Sequence, residues 1–92
     1  MTVALHRHND SRGCGAKTIV IGQSTVFANQ KLVAVENDPE SHGGGNLISA
    51  TNHRVYANNK KVIFIDDHAS GDSAGHNPPS TYPTEGSPNV FG

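Results

Sequence analysis

Residues 26–38 (VFANQKLVAVEND) lie over residues 55–67 (VYANNKKVIFIDD) at a constant offset of 29, with Val, Ala, Asn, Lys, Val and the final Asp identical. Phe27 against Tyr56 is a close exchange. Upstream, Cys14-Gly15 through Val20 lies over His42-Gly43 through Ile48 at an offset of 28, and residues 4–10 look like part of a further copy ahead of the first. Repetition at this period marks a chain made of copies of one supersecondary unit, which bury their apolar sides against each other because no copy can do so alone. A chain of this kind has few other ways to fold.

The unit itself is a strand hairpin. Thirteen of the sixteen branched aliphatics are Val or Ile, which suit strands. No stretch repeats apolar residues at helical spacing without Gly, Asn or a β-branched cluster intervening. Strands are predicted over 17–21, 25–28, 31–36, 46–49, 54–57 and 61–66. Asn29-Gln30 and Asn58-Asn59 each fall between two of these runs, and Asn tolerates the left-handed backbone that a two-residue hairpin turn needs. From Asp67 the character changes: four of the five prolines follow, among Gly and Ser. The sequence therefore predicts an all-β domain over 1–76 and a peripheral tail over 77–92, so that deleting 80–92 is expected to cost little.

With 34% hydrophobic residues, eight of them Ala, the core of a 92-residue chain is thin and calls for a staple. One cysteine rules out an internal disulfide. Six histidines make a metal the natural alternative. Asp10, Asp38 and Asp72 are each followed four residues later by Cys14, His42 and His76, and rotation of the repeat would bring those three together. A thiolate with imidazoles suits zinc, and a fourth ligand closes the set. His68 is the choice for it because it lies near His76 in the terminal loop; His53, at the start of a strand, is the rival. His6 and His8 alternate along an edge and are read as solvated. Net charge −1 argues against a nucleic-acid partner.

The pattern resembles the PAAR-repeat family, whose repeating phrase is Asn-Gly-x-Pro-Ala-Ala-Arg-x-Gly-Asp followed by Cys or His and Gly. Residues 29–38 and 58–67 match its length with Asn at the start and Asp at the end, Arg7 falls where the phrase has Arg, and Cys14-Gly15 and His42-Gly43 match the ligand step. The literal Pro-Ala-Ala-Arg is replaced by Leu32 to Val35 and Lys61 to Phe64. The resemblance implies a small cone-shaped β-domain of short hairpins with one structural zinc near its apex, held by three His and one Cys; Cys14, His42, His68 and His76 supply that stoichiometry. It implies a non-enzymatic tip that caps and sharpens the trimeric β-helical spike of a contractile injection machine. One copy would sit by its base on a VgrG-like or phage central spike and meet the target cell envelope first. Its place would then be a phage tail baseplate, or the bacterial cytoplasm before export by type VI secretion. From the residues alone, a small zinc-dependent hydrolase using Asp38, Asp72 or Glu40 as general base, and a metal-free adaptor, remain as alternatives.

Overall fold

The computed structural model describes residues 3–50 and 55–91. Among them there is no helix, and the strands are short antiparallel pairs, so the domain is all-β. Strand β1 (Phe27–Ala28) pairs with β2 (Lys31–Leu32), β4 (Tyr56–Ala57) with β5 (Lys60–Lys61), and β3 (Leu47–Ile48) with β6 (His68–Ala69). The first two pairs are the hairpins read from the repeat. Their turns place Asn29, Gln30, Asn58 and Asn59 at φ 54°, 69°, 52° and 69°, the doubly left-handed turn that matches the twist of a hairpin.

The predicted strands shrink to two residues because each segment changes partner after every few residues. Leu32 ends a hairpin, yet Val33 already bridges Arg7 and Val35 bridges Val62. The run over 17–21 forms only isolated bridges, Lys17 to Ser11 and Thr18 to Glu40. His53 and Arg54 lie outside the described residues.

These partner changes close a ring. The His6 amide donates to the Ile63 carbonyl at 2.8 Å, Ile63 to Ala34 at 2.9 Å, and Ala34 back to His6 at 3.0 Å. All three residues have no exposed surface. Around them the same bonds recur in each unit. Arg7 bridges Val33, Val35 bridges Val62, and Phe64 bridges Leu5. A turn follows each: Asp10, Asp38 and Asp67 donate their amides to Arg7, Val35 and Phe64, and accept the amides of the same residues on Oδ2 at 2.9 Å. Three heterologous contacts that close on themselves make a threefold arrangement, here drawn from one chain.

The third unit is completed by the far end of the sequence. Val33 donates its amide to Val26, Val62 to Val55, and Leu5 to Val90. Likewise Phe27 faces Leu32, Tyr56 faces Lys61, and Phe91 faces Ala4. Residues 77–91, set apart in the sequence as a tail, thus run along the body and supply the hairpin partner that the N-terminal copy lacks. Thr81, Pro83 and Ser87 are buried. The Pro and Gly that suggested a loose segment instead suit a chain that follows a body without forming a ladder of its own.

Two apolar clusters flank the ring. One joins Leu5, Ala28, Val33, Val35, Ala57, Val62 and Phe64; the other joins Val20, Ala34, Leu47, Ile63 and Ala69, with Leu32 and Tyr82 against it. Outside them, the units show the same exposed step three times, Val26-Phe27, Val55-Tyr56 and Val90-Phe91, with Phe27, Tyr56 and Phe91 58%, 53% and 51% exposed.

Candidate metal centre

A second set of turns lies beyond the ring in each unit. Gly15, Gly43 and Gly75 donate their amides to the carbonyls of Arg12, Glu40 and Asp72. Their φ values of 88°, 86° and 89° are ones that only glycine adopts at little cost. The first position of these equivalent turns holds Arg12, Glu40 and Asp72; the third holds Cys14, His42 and Ala74. His76 stands one residue past the third turn and folds back, its Nδ1 2.8 Å from Asp72 Oδ2.

The turns converge. One donor atom from each of Cys14, Glu40, His42, Asp72 and His76 lies within 4.8 Å of all the others, so this group could hold a metal ion. Cys14 Sγ is 3.7 Å from Asp72 Oδ2, 4.0 Å from His42 Nδ1 and 3.8 Å from each Glu40 oxygen. His42 Nδ1 is 3.2 Å from Asp72 Oδ2 and 3.5 Å from Glu40 Oε1. The two imidazoles lie 5.0 Å apart between ring centres. Donors around a tetrahedral ion at ordinary zinc bond lengths sit roughly 3.3–3.5 Å from each other, so the cluster is close to a ligand shell before any ion enters.

Its electrostatics point the same way. Burial and the neighbouring Asp72 push the Glu40 carboxyl up to about 7. Burial opposes ionisation of Asp72 too, but hydrogen bonds with Glu40, His76 and His42 hold its carboxyl well below the usual carboxylate range. Burial, with Glu40 and Asp72 nearby, pushes the Cys14 thiol up. Beside the ionised Asp72, the Glu40 carboxyl and the Cys14 thiol hold protons that a cation would displace.

Of the residues singled out in the sequence, Cys14, His42 and His76 come together. His68 does not join them: it lies in β6, and its ring stacks on Tyr82 with centres 4.3 Å apart. His53 is outside the described residues. Carboxylates stand where a fourth histidine was expected. Glu40 and Asp72 entered the sequence reading only as possible general bases, and the Asp-x-x-x-ligand spacing grouped Asp72 with Asp10 and Asp38. Asp67, not Asp72, is the structural equivalent of Asp10 and Asp38.

Sequence also missed what lies beneath. Arg12, 2% exposed, donates from Nη1 to Glu40 Oε2 at 3.4 Å and to the carbonyls of Gly45 and Thr81 at 2.7 and 3.0 Å. Its Nη2 reaches the carbonyls of Asp38 and Pro39, and its Nε donates to Thr18 Oγ1 at 2.6 Å. Thr18 in turn meets His6 Nε2 at 2.6 Å, and His6 Nδ1 donates to the Glu85 carbonyl at 2.7 Å. His6, read as solvated, is buried on the ring because its unit is enclosed by the other two and by the C-terminal segment. No protein-family model matches the sequence, and no curated protein matches it.

Proposed function

We propose that the chain is a metal-stapled structural tip that caps a threefold spike, of the kind the PAAR-repeat resemblance implies. The observation that carries this reading is the threefold body built from a single chain. In two units the backbone passes from an exposed Val-aromatic step, through the buried ring, to a turn at the donor cluster, and in the N-terminal unit Val90-Phe91 comes alongside residues 4–5 to supply the step. One face therefore offers the same apolar step three times, which suits a partner made of three identical chains. Open hairpin edges beside those steps can extend the partner's strands. The step at Val90-Phe91 supplies the third copy, so a single protein caps a trimer without breaking its symmetry.

In this reading Cys14, His42, Asp72 and His76 hold one structural zinc ion, with Glu40 beside them. Bound there, the ion would cross-link the three turns. Structural zinc contributes on the order of 10 kcal/mol in small domains, comparable to the whole stability of an ordinary domain at about 5–15 kcal/mol. That suits a tip meant to meet a cell envelope without fraying. The three rigid turns bring their side chains to one point, and the residues themselves do no chemistry.

Two measurements test the reading. Mixing the protein with a trimeric β-helical spike from a contractile tail or a type VI system and weighing the complex by light scattering should give one chain per trimer. Phe27→Asp and Tyr56→Asp, both on exposed positions, should abolish the complex while leaving the fold intact. A complex with three chains per trimer, or none with any such spike, overturns the cap. For the staple, elemental analysis should give close to one zinc per chain. Cys14→Ala should lose it and lower Tm by more than about 10 °C, since each kcal/mol moves Tm about 4–8 °C in a domain of this size.

A further inference from the structure

Five donors converge where a closed zinc site uses four, and the two carboxylates among them are not placed alike. Asp72 presents a single oxygen, Oδ2, to all three of Cys14 Sγ, His42 Nδ1 and His76 Nδ1, at 3.7, 3.2 and 2.8 Å. Glu40 is shared: both its oxygens lie 3.8 Å from Cys14 Sγ and Oε1 lies 3.5 Å from His42 Nδ1, while Oε2 also accepts from Arg12 Nη1 at 3.4 Å.

The guanidinium that takes Oε2 is fixed from several sides. Gly45, Thr81 and Thr18 accept from it at 2.7, 3.0 and 2.6 Å, and the Asp38 and Pro39 carbonyls complete its surroundings. Neither Arg12 nor Glu40 has exposed side-chain surface. A buried guanidinium with so many acceptors does not follow a carboxylate that moves away. Removing Glu40 from it would leave a buried charge without its partner.

From this we infer that Arg12 is a positioning residue that withholds Glu40 from the ion, leaving Cys14, His42, Asp72 and His76 as its four ligands. The charges agree. A thiolate and two carboxylates offset a divalent ion together with one guanidinium, so the loaded site is neutral in a region where excess charge is costly. At the equivalent position of the other two turns the chain has acids; the base at position 12 sets the first turn apart there, and it falls where it can engage one of those acids. The inference rests on the metal reading above and adds to it which donor is excluded and by what.

Cobalt(II), added alone to the metal-free full-length chain, tests it, because four-coordinate cobalt with a thiolate absorbs far more intensely in the visible than five-coordinate cobalt. The unaltered protein should show the intense bands. Glu40→Gln should keep them, since Glu40 is outside the ligand shell. Arg12→Gln should lose several-fold in band intensity as the released Glu40 enters, and the double variant Arg12→Gln/Glu40→Gln should recover the original spectrum. If Arg12→Gln alone does not fold, the Glu40→Gln spectrum decides. Loss of the intense bands in Glu40→Gln, or their persistence in a folded Arg12→Gln, overturns the role given to Arg12. An unaltered protein that takes up no cobalt overturns the metal reading itself.

Discussion

His6 shows how much one buried side chain can commit a domain this small. Its Nδ1–H is used by the Glu85 carbonyl, and its Nε2 accepts from the Thr18 hydroxyl, whose oxygen accepts from Arg12. The ring has no place for a second proton. Burial, with Arg12 close by, lowers its pKa from 6.5 to about 4. The unfolded chain therefore takes up a proton as pH falls through 6.5, while the folded chain refuses it until about 4. Stability from this group is full above 6.5 and declines steadily below it, by about 3 kcal/mol once pH is under 4, at about 1.4 kcal/mol per pKa unit. Denaturant titrations at pH 7.5, 5.5 and 4 should show that decline, and His6→Gln should flatten it. At this scale the sequence was partly legible. Cys14 and His42 hold the same position in equivalent turns, so the repeat announced them. His6 alternates with His8 as any edge residue would, and Arg12 carries no periodic mark; what buries both is the meeting of three segments that no single segment reveals.

Among the elements, the hairpin turns were the most legible, because two left-handed residues in succession restrict the choice of side chain locally. Gln30 is the exception, an exposed residue holding φ 69° without the tolerance that Asn has for it. Gln30→Gly should raise stability by about 1 kcal/mol, the cost of a left-handed backbone for an ordinary residue, or about 4–8 °C in Tm. Asn59→Gly, at the matching position, should gain less, since Asn already tolerates that conformation. The C-terminal segment was the least legible element. Its apolar content is low, yet its backbone carries the bonds: Thr81 serves Arg12, Glu85 serves His6, and Val90 serves Leu5. Each buried partner left unpaired costs about 1–3 kcal/mol. Ending the chain after Ser80 should therefore leave a protein without a cooperative melt by circular dichroism, contrary to what composition suggests. Hydrophobicity counts side chains, and this segment works mainly through carbonyls.

For the molecule as a whole, the repeat foretold two units and part of a third, but not what completes the third. Two full copies and a fragment are visible in one dimension; the third becomes whole only when residues 81–91 come alongside residues 3–7. Cooperativity should be concentrated where the units lock. Amide hydrogen exchange should be slowest at His6, Ala34 and Ile63, the fully buried ring, and faster at the hairpin tips Asn29 and Asn58. Fast exchange at the ring with protected hairpins would mean units that are stable separately.

Because Phe91 pairs with Ala4, the segment around residue 4 must wait on a ribosome until residue 91 has been made. The ring of His6, Ala34 and Ile63 can close earlier, but until residue 91 has emerged Leu5 lacks the Val90 carbonyl and His6 lacks the Glu85 carbonyl. Folding of this domain thus waits for its whole span, and a product cut short within that span would expose its apolar inner surface to quality control.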